Sequence, residues 1–178
     1  NRQSMRRAVI DLMGIVRSLE MDPGTRDCQR PNRANRAKQL ISCYSALLRL
    51  NLWLENWNGV AAIGKRAADF MDHFDPRRID RDTSYRMTSN LMRALSIDVL
   101  EAWRIWDPER LKGARIRLQR YATYCQESCH DRNPAKEDHR GFASSIMRAV
   151  ACLEQNMQGG VKDSDAMQEL IVLLLANG

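Results

Sequence analysis

The sequence predicts an all-α chain of about seven helices in one or two packed helical bundles, with no sheet. Three observations lead there. Every long segment repeats its apolar residues at intervals of three and four. No stretch shows the strict alternation of a half-buried strand. Pro and Gly punctuate the repeats where helices would have to end.

The first helix is expected from about Arg6 to Met21, where Met5, Val9, Leu12, Val16 and Leu19 form a one-sided apolar stripe. Ser4 is a plausible N-cap, and Asp22-Pro23-Gly24 ends the helix. A basic stretch follows, and Pro31 falls near the first turn of the second helix. That helix carries Ala37, Leu40, Ile41, Tyr44, Leu47, Leu48, Leu52, Trp53 and Trp57, with Asn58-Gly59 as its stop. The third uses Val60, Ile63, Ala67, Phe70, Met71 and Phe74, and Asp75-Pro76 breaks it.

Residues 75–82 read as an interlobe linker, which gives units 1–76 and 77–178, or one continuous domain. A long helix then runs from about Thr83 to Trp106. Asp107, Pro108 and Glu109 read as N-cap, N1 and N2 of a fifth helix, which carries Leu111, Ala114, Leu118, Tyr121, Ala122 and Cys125. After a polar loop over 128–134, a sixth helix carries Phe142, Ile146, Ala149, Val150, Leu153 and Met157 and stops at Gly159-Gly160. The last spans about Ser164 to Ala176. Its run Leu170–Leu175 is apolar all round, as for a helix end central in a core or buried in a partner. There are no internal repeats and no low-complexity tracts.

The 178 residues suit one compact domain or two small helical lobes. Hydrophobic residues at 44% and charged residues at 28% argue against disorder. No apolar run approaches the ~20 residues that span a bilayer, so no membrane partner is expected. Residues 1–7 lead into an amphipathic segment and not into a signal-peptide core. Five irregularly spaced Cys then favour a reducing compartment, the cytoplasm. Cys43 and Cys152 fall on apolar helix faces and read as buried small hydrophobes.

Net charge is +6, unevenly spread. Residues 1–38 hold nine basic and four acidic residues, 104–120 six and two, and 151–178 one and four. A basic body with an acidic end suggests an anionic partner. Arg outnumbers Lys 23 to 5, and Arg supplies a planar fork for phosphate or carboxylate. The expected nucleic-acid-binding residues are Arg26, Arg30, Arg33, Arg36 and Lys38 at the entry to the second helix. Arg110, Lys112, Arg115, Arg117 and Arg120 on the fifth complete the set. The competing reading of both groups is a solvated face with local ion pairs to Asp27 or Glu109. Trp53 and Trp57, and Trp103 and Trp106, form two pairs near helix ends, read as core or oligomer interface with base stacking as the alternative.

No catalytic, cofactor-binding or metal-ligating residues are expected. Cys125, Cys129, His130 and His139 do not match compact zinc spacing. Ser144-Ser145 has no positioned His in sequence, and neither a phosphate-binding P-loop nor a GxGxxG is present. Arg132-Asn133 followed by His139 resembles the Arg-polar…His motif of helical HEPN ribonucleases. That resemblance implies a metal-independent RNA-cleaving site assembled from two subunits, and covers residues 132–139 alone.

In profile the chain resembles the small RNA-silencing suppressors of closteroviruses: basic, Arg-rich, all-helical, 20.5 kDa, with two helical halves around a short linker. Arg26, Arg30, Arg33 and Arg36 in the first half and Arg110, Arg115, Arg117 and Arg120 in the second carry the resemblance. It implies a viral, host-directed protein that forms homo-oligomers and sequesters short duplex or single-stranded RNA. Two readings stand beside it: a helical protein-interaction module without nucleic-acid binding, and the HEPN-like ribonuclease.

Overall fold

The structure, a computed structural model, describes residues 1–22, 31–73, 81–128 and 134–176. Within these, the side chains of 31–34, 81, 82, 84, 85, 126–128, 134–140 and 176 fall outside the description. The described residues form seven α-helices and no strand. They are α1 (Arg2–Met21), α2 (Pro31–Trp53), α3 (Trp57–Asp72), α4 (Arg81–Arg104), α5 (Pro108–Ser128), α6 (Pro134–Gln158) and α7 (Asp165–Ala176). Two compact units result, Asn1–Leu91 and Met92–Gly178, and the division falls within α4. Of the expected linker at 75–82, residues 75–80 lie outside the described residues and the last two are helical.

In the N-terminal unit α2 packs against both α1 and α3. It therefore buries a wide arc: Ala37, Leu40, Ile41, Tyr44, Leu47 and Leu48 are all enclosed. Each such Leu or Ile contributes about 1.5–3 kcal/mol on leaving water. From α1 only Val16 is fully buried, and from α3 Val60, Ile63, Ala67, Ala68 and Met71 face inward. Glu20 of α1 ties the three helices together. Its carboxylate accepts from the Tyr44 hydroxyl and from Nε and Nη2 of Arg66, with Nε at 3.2 Å. The hydrogen bond to Glu20 is the main reason the Arg66 guanidinium holds its proton more tightly than usual.

The middle of α4, from Met87 to Met92, is buried at every residue. The polar side chains there have partners: Ser89 Oγ donates to the Arg86 carbonyl at 3.1 Å and Asn90 Nδ2 to Ser45 Oγ at 2.8 Å. In the C-terminal unit α6 packs against α5 and α7. Leu111, Leu118, Tyr121, Ile146, Val150, Leu153, Leu170 and Leu174 line that core. The Arg93 guanidinium lies over the Phe142 ring, 4.6 Å from its centroid.

Three helix ends share one geometry. At Glu55, Trp106 and Gly160 the backbone turns left-handed, with φ of 56°, 57° and 69°. The amide after each bonds back five residues: Asn56 to Asn51, Asp107 to Ala102, and Val161 to Asn156, at 2.8–2.9 Å. These are Schellman ends. Two of them place a side chain where Gly is preferred, and in both the following residue caps the next helix. Asn56 Oδ1 accepts from Gly59 N at 3.2 Å and Asp107 Oδ1 from Arg110 N at 2.9 Å.

Several boundaries differ from expectation. The cap of α1 is Asn1, whose side chain accepts from Gln3 N at 3.0 Å, so the helix begins at Arg2 and not beyond Ser4. The second helix ends at Trp53, and Asn58-Gly59 lies in the first turn of α3. Gly59 serves close approach: a Cβ there would overlap Asn51 Oδ1 and lie 2.5 Å from Asn56 Nδ2. The last helix is not central in the core. Leu170 and Leu174, which face α6, are buried, and Ile171, Val172 and Leu175 are exposed. Among the described residues no helix is long and apolar enough to cross a membrane.

Candidate nucleic-acid interface

The chain's excess charge is confined to one unit. Residues 1–91 hold sixteen Lys and Arg against ten Asp and Glu, and residues 92–178 hold twelve of each. The whole +6 belongs to the N-terminal unit.

Within that unit α1 presents a group of open cations. Arg6, Arg7 and Arg17 are exposed and none has a carboxylate partner among the described residues. Arg6 and Arg17 are eleven residues apart, three turns, so they project from the same side of α1. Ile10 and Met21 are exposed beside them. Arg2 lies nearer an acid, with Nη2 3.9 Å from Glu55 Oε2, which sets the start of α1 close to the α2–α3 corner.

Of the residues expected to bind nucleic acid, Arg26 and Arg30 lie outside the described residues. Arg33 is in α2, with its side chain outside the description. Arg36 is exposed and ion-paired with Asp22, which caps the end of α1. Lys38 is half-buried.

On α5, Arg110 and Arg117 share Asp98, at 3.1 and 3.9 Å. The Arg115 Nε lies 2.9 Å from Glu154 Oε2. Lys112 and Arg120 are exposed, and Lys112 has no partner among the described residues. One carboxylate under two guanidiniums leaves this face cationic but reduced. On this face the acids are Asp98 and Glu154, on α4 and α6, and not Glu109, while Asp27 lies outside the described residues. On α4 the Arg104 guanidinium beside Glu101, at 2.8 Å, holds that carboxyl below its ordinary value.

The two tryptophan pairs part company. Trp103 is 7% exposed and stacks at a tilt on half-buried Trp106, 4.9 Å between centroids. Trp53 and Trp57 are 47% and 38% exposed, so that pair is not core. The reason is the turn between them: Trp53 ends α2 and Trp57 begins α3, beyond the reach of the faces that α2 buries. The Arg49 guanidinium lies 5.5 Å from the Trp53 ring centroid. Between α1 and this corner lies an open cleft of about 490 Å³, lined by Arg6, Val9, Ile10, Asn51, Leu54 and Asn56.

The remaining chemical candidates bring no site together. Arg132, Cys129 and His130 lie outside the described residues, as does the side chain of His139. Among the described residues no group of His, Cys, Asp or Glu is placed to hold a metal ion. Cys125 is buried, but Cys43 is half-buried and Cys152 exposed, contrary to expectation, because each sits at the margin of its helix's apolar face. Arg6, Arg7 and Arg17 are not among the residues singled out in the sequence, because helix periodicity does not show which cations meet an acid. Their signal, the basic excess of residues 1–38, is present in the sequence.

Comparison with known protein families, with curated proteins and with solved structures finds no match to this chain.

Proposed function

We propose that the chain is a sequence-nonspecific RNA-binding protein that works by sequestration and not by cleavage. The observation that carries this reading is the confinement of the +6 to residues 1–91, with Arg6, Arg7 and Arg17 open on α1. Arginines spaced along a helix contact phosphates without reading bases. The expected basic entry to α2, Arg26 to Lys38, belongs to the same unit and adds to its charge. Arg110, Lys112, Arg115, Arg117 and Arg120 serve as secondary contacts, weakened by Asp98 and Glu154. Association of several copies multiplies the weak contacts of each. The resemblance to closterovirus suppressors supplies the setting: a viral protein in the host cytoplasm that withholds RNA from silencing.

The test is a titration of labelled short RNA, duplex and single-stranded, at about 50 and 200 mM salt. Binding that falls steeply with salt, with the RNA recovered intact, supports the proposal. Replacing Arg6, Arg7 and Arg17 with Ala is expected to flatten the log–log salt slope by roughly 2–3. An unchanged slope removes α1 from the interface, and no binding at low salt removes the function.

The second reading, a protein-interaction module, draws on the exposed Ile171, Val172 and Leu175 of α7. Salt-insensitive capture of a protein partner without nucleic-acid affinity selects it.

A further inference from the structure

The α2–α3 corner gathers features that phosphate binding alone does not require. Trp53 and Trp57 expose nearly half and over a third of their surfaces, although large aromatics bury well where a core is available. They flank Leu54 and Asn56, which line the cleft against α1. The cleft walls are apolar at Val9, Ile10 and Leu54 and amide-bearing at Asn51 and Asn56. The two amides are pinned: Asn51 Nδ2 donates to the Leu47 carbonyl and Asn56 Nδ2 to Asn51 Oδ1, both at 2.8 Å. Each still has one N–H beyond these bonds. Arg6 at the cleft and Arg49 over Trp53 have no carboxylate partner among the described residues.

Aromatic faces beside unpaired guanidiniums are the elements with which proteins hold single-stranded nucleic acid. Bases stack on rings, and cations follow the phosphates between them. A duplex offers no free base faces except at its ends, so this chemistry selects unpaired nucleotides. The occupant is set by charge: the unit carries sixteen cationic against ten anionic side chains, which disfavours an acid-poor or cationic peptide. The cleft, at about 490 Å³, is large enough for a nucleoside.

We propose that the corner formed by Trp53, Trp57, Arg49 and the cleft under Arg6 binds an unpaired stretch of RNA, with bases stacked on the two tryptophans. The proposal deepens the RNA-binding function and rests on it. It assigns the protein a preference for single strands over duplex at equal phosphate number.

The experiment uses the full chain and three labelled probes of about a dozen nucleotides: oligouridylate, an abasic oligomer of the same length, and an RNA duplex. Oligouridylate is expected to bind at least about fivefold more tightly than the abasic oligomer and to quench tryptophan fluorescence. Trp53→Ala and Trp57→Ala should each weaken oligouridylate binding about five- to hundredfold, leaving the abasic oligomer unaffected. Trp53→Phe and Trp57→Phe should restore most of it. Both positions are surface-exposed, so circular dichroism of the Ala variants should match the parent. Equal affinity for oligouridylate and abasic oligomer, with no effect of the Ala variants, overturns the corner and leaves phosphate binding standing. Failure of all three probes to bind overturns both.

Discussion

Glu20 and Arg66, forty-six residues apart, meet as a bidentate ion pair that joins α1 to α3, and the Tyr44 hydroxyl of α2 donates to the same carboxylate. Both charged side chains are only a quarter to a third exposed. Removing Glu20 takes away the carboxylate that both Arg66 and Tyr44 contact. Glu20→Ala is expected to cost about 1–3 kcal/mol in urea unfolding. A double-mutant cycle with Arg66→Ala should return a coupling of about 0.5–3 kcal/mol. Additive losses would show that the pair contributes nothing.

Gly59 has no room for a methyl group, whereas Gly14 and Gly113 have nothing within 4 Å of a Cβ position. Gly59→Ala displaces the Asn51–Asn56 amide pair and should destabilise by about 1–3 kcal/mol. Gly14→Ala and Gly113→Ala lie inside α1 and α5 and should stabilise by about 0.5–1 kcal/mol through helix propensity. Thermal unfolding of the three variants checks both signs.

Leu170 is fully buried on α7 and Leu175 on the same helix is 58% exposed. Leu170→Ala is expected to cost about 2–5 kcal/mol and Leu175→Ala within about 0.5 kcal/mol in dilute solution. A large loss at Leu175 that grows with protein concentration would place α7 in an interface between copies.

Arg104 holds Glu101 deprotonated to lower pH than an isolated glutamate. The sign follows: the pair's contribution is present above the ordinary glutamate range and is lost as pH falls through the depressed folded value. Carboxyl NMR titration should find Glu101 below its ordinary value, and Arg104→Ala should move it upward. No movement would assign the shift to another group.

The thiols should separate by accessibility. Cys152 is exposed, Cys43 is half-buried with its thiol pushed up by burial, and Cys125 is enclosed. Among these three, alkylation followed by peptide mass mapping is expected to label Cys152 first, Cys43 more slowly and Cys125 only on unfolding. Rapid labelling of Cys125 in the native state would contradict its place in the α5 core.

The sequence by itself determined what depends on neighbours three and four residues away. The steps of Leu40, Ile41, Tyr44, Leu47 and Leu48, and of Leu111, Ala114, Leu118 and Tyr121, correspond to buried faces of α2 and α5. Asp107 before Pro108 is a cap that sequence chemistry alone specifies, and the structure has it. Helix periodicity and capping are local, so they are legible in one dimension. The tertiary structure alone decided which charges and aromatics stay open. Arg110 is matched by Asp98, twelve residues back on another helix, while Arg6 and Arg17 meet no acid among the described residues. Trp103 and Trp53 both lie in the last turn of a helix, three and two residues before its left-handed residue, and one is buried and the other exposed. Pairing and burial depend on which helices become neighbours, and a repeat of three and four does not encode that.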